Sequence, residues 1–141
     1  MITTGNVFHT DPEDFDEVWV ICYAVDELKE MFTAYKNVLH VPELAPQSGL
    51  FHAYRELVNR GQWDQRAFDE EYVPWFLEDI RQNEPALKLL KELADTSNEK
   101  KIQLVCFCDN ENMCHRSIVA GILQNMGADI ECSSTYSKYK L

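Results

Sequence analysis

The sequence lacks a long apolar run, a basic excess and the marks of a signal peptide, and each absence excludes a class of protein. No stretch approaches the roughly 18 apolar residues of a membrane-spanning helix, so we expect no membrane contact. The 13 basic residues against 24 acidic ones give a net charge of −11, which argues against non-specific binding to nucleic acid. The opening "MITTGNVFHTDPEDFDE" has neither a basic nor an apolar region, so we expect no signal peptide.

The cysteines also lack the spacings of two common kinds of site. The chain has five cysteines but no Cys-x-x-Cys pair, which argues against a dithiol redox motif. A cysteine phosphatase loop needs five residues between its cysteine and its arginine, whereas seven lie between Cys108 and Arg116 and one between Cys114 and Arg116. Without a secretion signal, the cysteines indicate reduced thiols and a cytoplasmic protein rather than a disulfide framework.

The pattern that is present predicts a small α/β protein. A chain of 141 residues suits one domain, residues 1–141. "EVWVICYA" (Glu17–Ala24) and "KIQLVCFC" (Lys101–Cys108) are short, apolar and rich in β-formers, so we expect strands at about 18–23 and 102–108, with a third at about 129–133. A helix at about 115–126 would join the last two strands in a right-handed βαβ unit. The expected fold is a small Rossmann-like three-layer domain with a mainly parallel sheet.

Apolar residues at helical spacing predict further helices between these strands. They cover residues 26–40, 48–60, 64–82, where Pro74 should kink the helix or start a new first turn, and 84–101, with a polar exit. The stretch "TTGNVFHTDPEDFDE" is predicted to lack regular secondary structure.

The segment "CFCDNENMCHRSIVAGIL" (Cys106–Leu123) concentrates the residues able to do chemistry. Open α/β sheets bind ligands where a strand turns into a helix, and the first turn of that helix suits an anion. We therefore expect Arg116 and Ser117 to bind an anion, and Cys114 or His115 to act as nucleophile or in proton transfer, with Asp109 orienting His115.

Two other interpretations of this segment remain open. Cys106, Cys108, Cys114 and His115 are the right kind and number of ligands for zinc, yet they come from one loop with an adjacent Cys-His pair, so we expect no metal and no cofactor. Alternatively, the cluster is structural in a non-enzymatic binding protein, and Arg116 ties the loop to an acidic partner inside the fold. Cys106 and Cys22 are expected to be core residues.

The segment "LVCFCDNENMCHRSIVAGILQNMGADIE" resembles the domain of unknown function 488 family. The matching positions are Leu104, Cys106, Phe107, Cys114, His115, Arg116, Val119 and Ala120. A second resemblance involves Glu43, Leu44, Ala45, Pro46, Phe68 and Tyr72, and "MITTGNVF" is loosely similar to the family's first strand. The family's strand usually ends in Glu where this chain has Cys108, so a catalytic role of that Glu would pass to Asp109 or be lost.

The resemblance implies a Rossmann-like fold in a bacterial or phage cytosolic protein, without a reaction. From the residues, we expect the protein to bind or act on a small anionic ligand, phosphorylated or nucleotide-like. The sequence leaves the oligomeric state open.

Overall fold

A computed structural model describes residues 1–23 and 25–141, and its centre is a four-stranded, wholly parallel sheet. The strands are β1 (Ile2–Asn6), β2 (Glu17–Val20), β3 (Val38–His40) and β4 (Ile102–Cys106). They lie in the order β1-β4-β2-β3, so β4 is central and pairs with β1 on one side and β2 on the other. This arrangement confirms the predicted small α/β, Rossmann-like fold with a parallel sheet.

Helices pack on the sheet and bury both of its faces. They are α1 (Lys29–Ala34), α2 (Ser48–Asn59), α3 (Gln65–Ala67), α4 (Val73–Arg81), α5 (Glu84–Thr96) and α6 (His115–Asn125). Alternation along β2 directs Trp19 into the larger apolar core and Val18 and Val20 into the smaller one. Leu104 of β4 joins the larger core with the apolar face of α6, so burial on both sides fixes the register of the central strands.

The predicted helix at 115–126 is confirmed, and the predicted strands at 18–23 and 102–108 exist as the shorter β2 and β4. The β-prone segment Glu17–Ala24 ends at Ala24, which lies outside the described residues. The prediction of a third strand at 129–133 is wrong. In that segment only Ile130 forms a parallel bridge, to Ile2. The chain then leaves the sheet, since the Ser133 side chain accepts a hydrogen bond from the Thr135 N–H and starts a 3-10 turn.

Two other predictions need correction. The stretch expected to be irregular contains most of β1, in agreement with the family resemblance of "MITTGNVF". The helix expected over 26–40 is a 3-10 turn, Asp26–Leu28, and the short α1, and the chain then becomes the edge strand β3. Val38 is β-branched, and β2 offers it a pairing edge, so tertiary pairing overrides the local helical pattern.

Pro74 starts a new first turn within the predicted helix at 64–82, as the sequence indicates. A π-helical segment, Phe68–Tyr72, joins α3 to α4, and Pro74 is the second residue of α4. Proline lacks an N–H to bond backward and crowds the preceding turn, and wider π turns relieve that conflict. None of the helices among the described residues has the length and apolar content needed to span a bilayer.

Candidate functional site

Four cysteines meet at the carboxyl end of the sheet. Cys106 is the last residue of the central strand β4, and Cys22 lies two residues after β2, its neighbour. Cys108 and Cys114 lie on the turn that joins β4 to α6, and both line the same cavity as the other two. We call Cys22, Cys106, Cys108 and Cys114 the thiol cluster. Parallel strands place their carboxyl ends at one edge of the sheet, so the topology assembles the cluster.

Within the thiol cluster, Cys106 has the strongest tendency to ionise. Its Sγ lies 3.9 Å from the Sγ of Cys108, and hydrogen bonds from Cys108, Cys114 and Cys22 lower the pKa of the Cys106 thiol. The neighbours show the reverse shift because they give their hydrogens to Cys106. Hydrogen bonding to Cys106, followed by burial, raises the pKa of Cys22 and of Cys114. The same hydrogen bonding raises the pKa of Cys108 to about 11, against a smaller opposing effect of Cys114.

His115 is buried beside the cluster in a fixed orientation. Its Nε2 lies 2.5 Å from the carbonyl oxygen of Ile21, and its Nδ1 lies 3.8 Å from the Sγ of Cys114. A carbonyl oxygen can only accept, so Nε2 carries the hydrogen and Nδ1 offers a lone pair toward Cys114. Asp109 accepts a hydrogen bond from the Asn6 side chain, and its expected role in orienting His115 stays a prediction.

Arg116 and Ser117 direct their side chains into the turn itself. Arg116 is only 2% exposed, and its Nη2 donates to the carbonyl oxygen of Cys108 at 2.8 Å. Its Nε lies 4.0 Å from Oε1 of Glu111. The Ser117 hydroxyl donates to the carbonyl oxygen of Cys114 at 2.8 Å. An anion contact through Arg116 or Ser117 stays a prediction, and the contacts present stabilise the turn.

Further side chains hold the β4–α6 turn from outside. Glu111 accepts hydrogen bonds from the hydroxyls of Thr4 and Tyr136. The Asn6 side chain donates to the carbonyl oxygens of Phe107 and Cys108 at 3.2 and 3.4 Å. The turn is therefore fixed from β1 and from the C-terminal segment, which preorganises the cysteines that it carries.

A cavity of about 220 Å³ opens on the thiol cluster and His115. Apart from these residues, its walls are apolar and aromatic: Tyr23, Pro46, Phe51, Tyr54, Tyr72, Phe107 and Met113. The π-helical segment supplies Tyr72, and π segments often occur at functional sites. A larger cleft of about 410 Å³ adjoins it and shares Tyr54 and Tyr72, but the thiols and His115 line the smaller cavity. The smaller cavity is therefore the candidate site.

Three residues at the cavity can hold a metal ion. The Sγ atoms of Cys106 and Cys114 and a ring nitrogen of His115 all lie within 4.8 Å of one another, and all three residues are buried. Thiolate and imidazole together are ligands that zinc and other soft cations prefer.

Sequence reasoning found Cys114 and His115 but assigned Cys106 and Cys22 to the core. Both are indeed buried, at 4% and 8% exposure, yet they also line the cavity. The signal was present, because each cysteine lies at the carboxyl end of a predicted parallel strand. Tyr54 and Tyr72 reach the site from distant helices, and periodicity alone marks such residues as packing.

A family model described as DUF488-N3a, "Active DUF488-N3 subclade", matches residues 8–127. No curated protein and no solved structure matches the chain.

Proposed function

The chain belongs to the DUF488 family, and from that premise we propose that it is an enzyme that uses the Cys106 thiolate as a nucleophile on a small phosphorylated or nucleotide-like compound. The description of the matching subclade as active supports catalysis. The observation that carries the proposal is the position of Cys106, at the end of the central strand, in the cavity wall, with neighbouring thiols donating hydrogens to it.

The cavity supports this substrate class in two ways. Its aromatic walls suit a flat ring, and about 220 Å³ is below the roughly 300–1,000 Å³ of most ligand sites, so it suits a single ring that carries a phosphoryl group rather than a whole nucleotide. Cys114 forms no side-chain cap on α6, so its side chain leaves the N–H groups of His115 and Arg116 uncapped, while the Ser117 N–H donates to the Cys114 carbonyl oxygen. Such uncapped N–H groups suit an anion. The buried charge of Arg116 behind the turn adds positive potential there.

In the proposed step, the Cys106 thiolate attacks phosphorus, and an S–P bond forms as the bond from phosphorus to the leaving oxygen breaks. Cys114 keeps its proton because its pKa is raised, first by hydrogen bonding to Cys106, so it can protonate the leaving oxygen. The Nδ1 of His115, 3.8 Å from the Cys114 Sγ, then accepts a proton from the water that hydrolyses the S–P bond and passes it to the Cys114 thiolate. Phosphate leaves, and Cys106 returns as the thiolate.

The test uses para-nitrophenyl phosphate, which combines an aromatic ring with a phosphoryl group. With reductant and chelator present, Cys106→Ser should slow release of para-nitrophenolate by about a hundredfold or more. Cys132→Ser is the matched control, because Cys132 is a free cysteine that does not line the cavity, and it should keep the wild-type rate. Equal rates for wild type and Cys106→Ser would contradict the proposal.

A second candidate is a binding protein in which the cluster is structural. The observation favouring it is that Arg116 is buried and hydrogen-bonded to the turn. A wild-type protein that neither turns over the phosphate ester nor is stabilised by phosphate would support this candidate.

The expected cytoplasmic location and bacterial or phage origin also remain proposals. Reduced thiols are needed for the proposed chemistry, which fits a reducing compartment. A small anionic ligand is the only partner proposed, without non-specific nucleic-acid binding.

A further inference from the structure

Donor atoms of Cys106, Cys114 and His115 lie within 4.8 Å of one another, a compact group that one metal ion can draw together. The Sγ atoms of Cys106 and Cys108 are 3.9 Å apart, and the Sγ of Cys114 is 3.8 Å from Nδ1 of His115. A tetrahedral zinc ion with Zn–S of about 2.3 Å and Zn–N of about 2.0–2.1 Å separates its ligands by about 3.5–3.8 Å. These two separations are close to that spacing, whereas the Cys108 sulfur lies outside the compact group and would have to move inward to bind.

The hydrogen bond of His115 supplies the outer contact that histidine ligands to zinc usually have. Its Nε2 donates to the backbone carbonyl oxygen of Ile21, which orients the ring and leaves Nδ1 free to bind the ion. This contact is independent of the cysteines, and it points the imidazole lone pair at the Cys114 sulfur.

A zinc ion with three thiolate ligands has a net charge of −1, and the surrounding positive charge suits it. Arg116 is buried, and its guanidinium lies against the Cys108 carbonyl oxygen, so a fixed positive charge stands beside one ligand. The other neighbour of the ligands is the amino-terminal end of α6, which begins at His115 and carries positive partial charge.

We propose that Cys106, Cys108, Cys114 and His115 form a tetrahedral zinc site. Binding displaces the protons of the Cys108 and Cys114 thiols into solvent, and each of the three sulfurs then donates an electron pair to Zn²⁺. The site rests on the donor geometry alone. One consequence rests on the proposed function. Zinc holds Cys106 as a ligand, so the Cys106 thiolate is protected from reaction in the metal-bound form, and removal of the zinc frees it as the nucleophile.

The site is tested by titrating reduced, chelator-treated protein with Cd²⁺, which reports thiolate ligands by ultraviolet charge-transfer absorbance, and by competing it with Zn²⁺. We expect one ion per chain. Cys108→Ser and Cys114→Ser should each weaken binding by about a hundredfold or more, because removing a ligand costs at least as much as removing an outer contact. Cys132→Ser should bind as the wild type does.

Circular dichroism of each variant without metal establishes that it folds. Cys108 lies on the turn and is only partly buried, so Cys108→Ser gives a test even where a buried cysteine variant fails to fold. No stoichiometric absorbance in folded wild type would overturn the zinc site, and full binding by Cys108→Ser would overturn the assignment of Cys108.

Iodoacetamide labelling of Cys106, read by peptide mass spectrometry, separates this inference from the proposed function. Zinc should block labelling, and chelator should restore it. If zinc binds but labelling of Cys106 is unchanged, zinc does not protect Cys106, although the zinc site itself is still supported. An unreactive Cys106 in the metal-free protein would contradict the proposed function and leave the zinc site standing.

Discussion

The Nε2 atom of His115 lies 2.5 Å from the carbonyl oxygen of Ile21, and this contact joins the first turn of α6 to the segment that follows β2. It brings Cys114, immediately before His115, against the cysteines that end β4 and follow β2. The contact also fixes which nitrogen of His115 faces the sulfur atoms. Proton transfer and metal binding at this site both depend on that orientation.

We expect the Nε2 atom of His115 to carry a hydrogen in the metal-free protein. The carbonyl oxygen of Ile21 can accept only from a protonated nitrogen, and Nδ1 faces Cys114. Long-range ¹⁵N–¹H correlation spectra of the histidine side chains distinguish the two tautomers. A hydrogen on Nδ1 would remove the basis for His115 as either ligand or proton acceptor.

The pKa shifts in the thiol cluster predict which cysteine reacts first. The pKa of Cys106 is lowered by hydrogen bonds from its neighbours, so its thiolate should persist below the ordinary thiol pKa of about 8.5. Cys108 should gain thiolate only as pH rises toward about 11, because it gives its hydrogen to Cys106 and is partly buried. With chelator present, iodoacetamide at pH 7 should therefore label Cys106 faster than Cys108, which peptide mass spectrometry measures. Faster labelling of Cys108 would mean that the assignment of the two thiols is reversed.

Arg116→Ala should reduce the free energy of unfolding by about 2–4 kcal/mol, since it removes a buried charged donor and the atoms packed around it. The lost hydrogen bond is the one from Nη2 to the Cys108 carbonyl oxygen, which holds the turn. Urea denaturation measures the loss, with and without phosphate.

Arg60→Ala is the control, because Arg60 and Glu56 form an exposed i,i+4 pair and its removal should cost less than about 0.5 kcal/mol. A small loss for Arg116→Ala, together with phosphate stabilisation of the wild type alone, would favour direct anion binding by Arg116. A large loss without any phosphate effect would favour the structural role.

The sequence predicts the central elements of the fold because their signals are local. β2, β4 and α6 have the strongest apolar patterns, and burial on both sides of the sheet agrees with those patterns. β1 and β3 could not be found so easily, because Gly5 and Asn6 of β1 are weak strand formers and β3 has only three residues. Pairing with β4 and β2 makes them strands, and pairing is not local.

The site likewise has one part that the sequence predicts and another that depends on the fold. The segment from Cys106 to Arg116 is contiguous, so its importance is evident from the sequence alone. The part played by Cys22 depends on β2 lying beside β4, and the acceptor of His115 is a backbone oxygen, which has no residue signature. The sequence alone therefore indicates Asp109, a nearby side chain, as the residue that orients His115, rather than the carbonyl oxygen of Ile21.

Gly121→Ala should destabilise the protein although alanine is the better helix former. A Cβ at Gly121 of α6 would lie 2.1 Å from the carbonyl oxygen of Tyr136, so the C-terminal segment must move. We expect a loss of about 1–3 kcal/mol in the free energy of unfolding, which exceeds the gain of up to about 1 kcal/mol from helix propensity. The Tyr136 hydroxyl donates to Asn112 at 2.7 Å, so the same movement should loosen the β4–α6 turn and weaken Cd²⁺ binding.

Gly49→Ala is the matched control, because a Cβ at Gly49 of α2 meets only Cζ2 of Trp75, at an ordinary 3.4 Å. That variant should be neutral or more stable by up to about 1 kcal/mol, with unchanged Cd²⁺ binding. Urea denaturation and Cd²⁺ titration of both variants give the comparison. If Gly121→Ala matched Gly49→Ala in both measurements, the C-terminal segment would not be packed on α6 closely enough to support the turn.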